Sequence, residues 1–261
     1  MLSSSAWLAI AVFLIVYVLI IWEKFHRTVI AMAGGMLRLV LGIVTQEYAV
    51  TKAIDFNTIG LLLGMMIIVG IARKSGLFEY LAVEAAIIAR GNPILILISL
   101  SFITAVVSAF LDNVTTVLLI VPVTFAITSK LKVTPWPYLF TEIFASNIGG
   151  TATLIGDPPN IMIGSRTGLG FMDFAYHLTL PVLVILIVTL ILSAIIFRKG
   201  LKAGEDEIQS VMAMDSKEQI KDKTLLVKSL FVLALTIAGF VLHQAFHLES
   251  ATIALAGAAL L

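Results

Sequence analysis

Residues 145–160 read ASNIGGTATLIGDPPN. Three glycines, two prolines and two asparagines crowd into sixteen positions of an otherwise apolar chain. The stretch follows a half-length apolar segment at 138–147 and precedes a long one at 174–197. Backbone N–H and C=O groups cannot stay unpaired in hydrocarbon. Irregular backbone at membrane depth therefore survives only inside protein or against a wet cavity. Ser146 to Asn160 is accordingly expected to be the broken middle of a discontinuous helix. Gly149, Gly150 and Gly156 permit tight or positive-φ backbone. Pro158 and Pro159 remove donors and stop a preceding helix. Freed carbonyls, with the hydroxyls of Thr151 and Thr153, can coordinate a cation, and freed amides at a half-helix N-terminus can hold an anion.

The composition supplies the membrane. The chain is 60% hydrophobic and 13% charged over 261 residues, with a mean hydropathy of +1.08. Soluble domains run near about 45–50% apolar and about 25% charged. The expected class is an all-α, multi-pass integral membrane protein, in the plasma (inner) membrane if the source is prokaryotic, with lipid as a partner. A net charge of +1 gives no field to recruit nucleic acid. With no cysteine, disulfides, thiolate metal sites and thiol catalysis are excluded within the chain. The opening MLSSSAWLAIAVFLIVYVLIIW has no basic n-region and no cleavage site, so it reads as a first transmembrane helix. The closing ATIALAGAALL is shorter than the ~20 residues of a span. The chain is thus expected to stop partway through a helix, as the first part of a longer protein.

Between these ends, apolar segments fall at 28–44, 57–72, 94–110, 114–128 and 225–242. The segments 94–110 and 114–128 are separated only by Leu111-Asp112-Asn113, which suggests a re-entrant hairpin over about 93–130 or two helices joined at membrane depth. Residues 77–90, carrying Glu79 and Glu84, fit an interfacial amphipathic helix. Basic residues test the layout. With the N-terminus outside, the inside receives Lys24, Arg27, Arg73, Lys74, Arg90, Lys130, Lys132, Arg198, Lys199, Lys202, Lys217, Lys221, Lys223 and Lys228. The outside receives Lys52 and Arg166, and Arg38 lies within a span. That bias follows the positive-inside rule. Three parts result: a first transmembrane repeat at 1–197, a solvated cytoplasmic linker at 198–224, and the start of a second repeat at 225–261.

A second polar cluster, SAFLDNVTT at 108–116, occupies the hairpin tip. A carboxylate at mid-membrane costs about 2.5–3.5 kcal/mol on insertion scales, so such a group faces protein or water. Asp112 and Asp157 are the leading candidates for ion or proton handling. Asp112 also suits a helix cap for the second arm, and Asp157 a turn residue before Pro-Pro. Paired re-entrant and broken elements meet their substrate near the midplane, where half-helix ends converge.

The pair FLDNVTTVLLIVP (110–122) and SNIGGTATLIGDPPNIMIG (146–164) resembles the signature of the ion-transporter superfamily. The nearest branch holds the arsenite permeases, the melanosomal P protein and the D-type Na⁺/H⁺ antiporters, which share a citrate-transporter-like domain. The resemblance implies two inverted repeats, each with a hairpin and a broken helix (here about 138–165), of which this chain supplies the first and a truncated second. It implies a homodimer. Asp112, Asn113 and Thr115 match the hairpin-tip motif, and Ser146, Asn147, Gly150, Thr151 and Asn160 the broken-helix motif. With Thr116, Gly149 and Asp157 these form the expected substrate and ion site. A Na⁺ ion, if used, would sit at Asp112, Asn113, Asn147 and Thr151. The implied activity is alternating-access transport of a small inorganic ion or anion, foremost as an arsenite/anion permease coupled to H⁺ or Na⁺. A Na⁺/H⁺ antiporter, a di- or tricarboxylate transporter and, from another class, an ion channel are the alternatives.

Other signals carry less. GGTATLIGDPP lacks the Gly-Lys-Ser/Thr ending of a phosphate loop. Glu142 lies one turn before Ser146, facing either the cavity or the cytoplasmic interface. Arg38, near Gly34-Gly35, suits snorkelling or an interhelical pair with an acid. His243 and His247 have metal-chelating i, i+4 spacing, but a wet membrane exit explains them better. No nucleophile–base–orienter set is visible, so neither an enzyme nor a cofactor is expected.

Overall fold

The computed structural model describes residues 3–246 and 248–261, with side chains other than those of residues 244 and 245. Every element found among these residues is helical. They run α1 (Ser4–Ile21), α2 (Arg27–Val40), α3 (Gln46–Tyr48) with a π turn at Ala49–Ala53, α4 (Phe56–Lys74), α5 (Leu77–Ile88), α6 (Pro93–Ser108), α7 (Asn113–Lys130) and α8 (Trp136–Gly150). Then follow α9 (Pro158–Thr167), α10 (Phe171–Phe197), α11 (Glu205–Met212), a 3₁₀ turn at Lys217–Gln219, α12 (Lys223–Phe246) and α13 (Ser250–Leu260). By length and composition, α1, α4, α7, α10 and most of α12 can each cross a membrane.

The chain divides into two compact units, Met1–Asp55 and Phe56–Leu261. In the first, α1 packs on α2, with Gly34 seated against Val16. Arg38 reaches across to donate from Nη2 to the Ala9 carbonyl at 3.1 Å. The interhelical tie is to a backbone carbonyl within α1, not to an acid.

The second unit holds the core, and small residues set its closest approaches. A Cβ on Gly64 would strike the backbone of Ala254, and one on Gly60 would press on Ala251. Thus α4 and α13 touch nearly backbone to backbone, the packing mode of helices that gain little from excluding water. Ala251 N–H also donates to Asn57 Oδ1 at 3.0 Å. Outward faces are apolar: Leu180, Ile187 and Ile196 of α10 and Val227 and Phe231 of α12 are exposed. Apolar surface on that scale is suited to lipid.

Local sequence fixes the helix starts around the two polar clusters. Asn92 caps α6, its Oδ1 accepting from Ile94 N at 3.0 Å and Leu95 N at 3.2 Å, with Pro93 in the first turn. The two hairpin arms are 16 and 18 residues long. Gly168 ends α9 in the left-handed region at φ 74°.

Three local expectations are corrected. First, the irregular stretch is shorter than Ser146–Asn160. Helix α8 continues through Gly150, α9 starts at Pro158, and only Thr151–Asp157 is non-helical. Neither Gly149, Gly150 nor Gly156 adopts positive φ; Gly42, Gly76, Gly91 and Gly168 do. Second, α5 does not present a free apolar face. Leu77, Phe78, Ala82, Val83 and Ala86 are buried, in packing against α6 and α7. Third, the 198–224 connector is folded back and not simply solvated. Leu201 and Val211 are buried. Lys221 N–H donates to Ser75 O at 2.9 Å, Lys132 pairs with Glu207 at 3.0 Å, and Ser216 hydrogen-bonds Glu84. Two apolar anchors give a mixed-charge loop a reason to dock.

Candidate functional site

Helices α6 and α8 run parallel and α7 antiparallel to both. Tyr138 Oη donates to Pro93 O at 2.9 Å near one end. Ser108 Oγ donates to Ser146 O at 2.7 Å near the other. This places the Ala109–Asp112 tip beside the Thr151–Asp157 break. Thr153 Oγ1 donates to the tip carbonyl of Ala109. Asn113 Nδ2 donates to Asn147 Oδ1 at 2.9 Å. The two polar clusters of the sequence are therefore one structure. The C-termini of α6 and α8 and the N-termini of α7 and α9 converge on it.

The glycines make this convergence possible. A Cβ on Gly149 would run into the backbone of Ala105, and Gly150 and Gly156 lie against each other and against Ser108. Each is needed for close approach, so Gly149 and Gly150 act as packing positions. They end α8, whose C-terminal carbonyls favour a cation. The amide-rich ends belong to α7 and α9.

Asp112 is the N-cap of α7. Its Oδ1 accepts from Thr115 N at 2.9 Å, and its carbonyl accepts from Thr116 Oγ1 at 3.0 Å. It also lines a cavity of about 10 Å³ with Leu61, Leu62, Met65, Val69, Ile155 and Ile161, near the lower limit for one water. Asp112 is thus both a cap and a cavity wall. Asp157 caps the start of α9 with its backbone only. Its side chain makes no capping bond, and its carbonyl accepts from Asn160 N at 3.0 Å.

The break is held by side chains. Asn160 is buried, and its Nδ2 donates to Thr151 O at 3.2 Å and Thr153 O at 2.9 Å. Asn160 thereby satisfies carbonyls that the interrupted helix leaves open. Thr151 Oγ1 donates to Asn147 O at 2.9 Å, and Asn147 Nδ2 to Ile143 O at 2.8 Å. Asn147 and Thr151 are exposed, while Asn113 and Thr115 are half-buried. Together they present amide and hydroxyl groups at the convergence. Ser146 and Thr116 are buried beneath them, and the hydroxyl of each bonds a helix carbonyl.

Two contributors were not singled out from sequence. Ser108 ties the tip to α8 and was visible only as part of SAFLDNVTT. Ala105 gives Gly149 its seat, and a small residue in an apolar run carries no sign of that. Among the described residues no group of three or more His, Asp or Glu could hold a metal ion. His243 Nδ1 lies 2.7 Å from Phe240 O, and His247, four residues on, lies outside the described residues.

Known proteins match this pattern closely. The model of the citrate transporter family, CitMHS, matches residues 17–261. An uncharacterized transporter of Mycobacterium bovis is 45% identical over 256 residues, covering 97% of this chain and 59% of the relative. The 46 kDa membrane protein of Mycobacterium leprae is 42% identical over 260 residues, covering 97% of this chain and 60% of its own length. The human P protein is 42% identical over 195 residues, 71% of this chain and 23% of that protein. The chain thus spans about three fifths of the mycobacterial relatives it matches. An integral multi-pass membrane protein with this motif pair, it belongs to the CitMHS citrate transporter family, in the branch of the ion-transporter superfamily that includes the P protein.

Proposed function

We propose that this chain forms the ion-handling part of a secondary active transporter. A small anion and a coupling ion meet where the α6–α7 tip adjoins the α8–α9 break, at membrane depth, and alternating access carries them across. The carrying observation is the convergence of four helix ends, fastened by Ser108–Ser146 and Asn113–Asn147. Helix ends of both polarities suit an anion and a cation together. The amide ends of α7 and α9 would face the anion. The carbonyl end of α8, Asp112, Asn113, Asn147 and Thr151 would face H⁺ or Na⁺.

The family description favours a di- or tricarboxylate as the anion, ahead of arsenite, which rests on motif likeness. A carboxylate, and arsenite as its neutral hydroxide or small oxyanion, both bind through hydrogen bonds, so one set of amides and hydroxyls serves either. The re-entrant hairpin, the inverted second repeat and a homodimer belong to this same reading. The test is uptake by the intact transporter in proteoliposomes, with citrate, arsenite and chloride compared under imposed H⁺ or Na⁺ gradients. Uphill, gradient-driven citrate uptake supports the reading. Flux that only runs downhill would assign the protein to the channels.

A further inference from the structure

Glu142 lies outside the convergence, in the middle of α8, and its side chain is 0% exposed. Its Oε1 is 2.6 Å from Thr124 Oγ1 on α7. Its Oε2 is buried with no hydrogen-bond partner among the described residues, and so is Ser101 Oγ on α6. Both orphans lie between the Tyr138–Pro93 and Ser108–Ser146 ties that hold α6 parallel to α8. The acid is therefore bonded to one arm of the hairpin, α7, at a level between the two ties that hold α8 to the other arm, α6.

Among the described residues no cation pairs with it. Glu142 is the single charged residue of α8, and α6 has none. On α7 the only charge is Lys130, at the last residue. On α10 the titratable groups are Asp173, Tyr176 and His177, all in the first two turns. Tyr138 is committed to Pro93 O, and Thr141 to Pro137 O. An ionised carboxylate here would keep one oxygen bare in an apolar interior, a heavy electrostatic penalty.

The neutral acid fits the partners present. Thr124 Oγ1 is also 3.3 Å from Ile120 O. A hydroxyl has one proton and rotates to suit its neighbours. With Glu142 protonated, the acid donates to Thr124 Oγ1, and Thr124 donates to Ile120 O. The Glu142–Thr124 bond joins the hairpin to the broken helix, so movement of α7 past α8 must break it and open the acid to exchange.

We infer that Glu142 is a proton-binding site, separate from the tip–break convergence, that takes up and releases the coupling proton as the hairpin moves against α8. The coupling role rests on the transporter reading above; proton occupancy does not. The experiment is infrared difference spectroscopy of the intact transporter in lipid vesicles across a pH titration, paired with pH-gradient-driven uptake of radiolabelled citrate. Wild type gives a protonated-carboxyl C=O band that Glu142→Gln removes. Thr124→Val shifts the band by deleting its hydrogen-bond partner but does not abolish it. Asp112→Asn leaves the band in place. Driven uptake by Glu142→Gln falls to the level of protein-free vesicles. A band that persists in Glu142→Gln, or driven uptake by that variant equal to wild type, overturns the inference. If wild type takes up no citrate, the transport reading has failed for that substrate, and the band alone decides whether Glu142 holds a proton.

Discussion

Asn113 Nδ2 donates to Asn147 Oδ1 at 2.9 Å, joining residues 34 positions apart across the hairpin tip and the end of α8. Neither asparagine is needed to start or stop its helix. The bond instead links two interrupted elements at the surface they share.

If the two side chains act as one binding unit, their effects will not add. Asn113→Ala and Asn147→Ala should each weaken ion binding by about 1–2 kcal/mol, the usual scale for a lost polar contact. The double variant should cost clearly less than the sum, with a coupling of about 0.5–3 kcal/mol. Binding titrations on the four proteins measure this. Strict additivity would mean the two amides work apart.

Asp112 has two roles that substitutions separate. Asparagine caps a helix as well as aspartate does. Asp112→Asn should therefore leave thermal stability close to wild type while abolishing transport. Asp112→Ala should lose transport and also about 1 kcal/mol of stability. Melting in detergent and uptake in vesicles read the two effects independently. Wild-type transport by Asp112→Asn would reduce the residue to a cap.

The glycines make opposite predictions by position. Gly149→Ala drives a methyl into the Ala105 backbone and should destabilise by about 1–3 kcal/mol through overpacking. Gly70→Ala, on α4 with nothing near its added methyl, should stabilise by about 0.5–1 kcal/mol through reduced backbone entropy. Thermal midpoints of the two variants should move in opposite directions.

Docking of the 198–224 connector should depend on pH. Lys132, beyond the end of α7, hydrogen-bonds Glu207 and holds its carboxyl below the ordinary value, while Glu207 holds the lysine above its own. The Glu207 contribution is complete above the unfolded carboxylate range and fades as pH falls through the folded value. The Lys132 contribution is complete below the unfolded lysine range and fades in alkali. Protease nicking at Lys199 and Lys202 should quicken on acidification and at high salt. Glu207→Gln should be nicked faster at neutral pH and respond less to acid.

Much of this was legible in the chain. Asp-x-x-Thr at 112–115 identified a cap, and the cap is there. The apolar segments marked the helices to within a few residues, because continuous hydrophobic runs leave few alternatives. The end of α8 was not legible in the same way. Gly149 and Gly150 signal helix breaking when propensity alone is weighed. Packing on α6 reverses that, because only glycine lets the backbones come so close. The meeting of tip and break was also hidden, since Ser108–Ser146 and Thr153–Ala109 join residues 38 and 44 apart. Glu142 was visible as an acid in an apolar run, but its burial and its single partner Thr124 required the helix pairing.

The most direct test of the convergence is thiol labelling at the break: this chain has no cysteine, and any cysteine elsewhere in the intact transporter is first replaced by serine. Thr151→Cys in the intact transporter introduces a thiol at an exposed position of the break. Its labelling by a small water-soluble thiol reagent is timed with and without saturating transported ion. The account predicts labelling that the ion slows severalfold, by occupying the site or closing access to it. Labelling at the same rate with and without the ion would contradict the claim that the ion binds where the hairpin tip meets the broken helix.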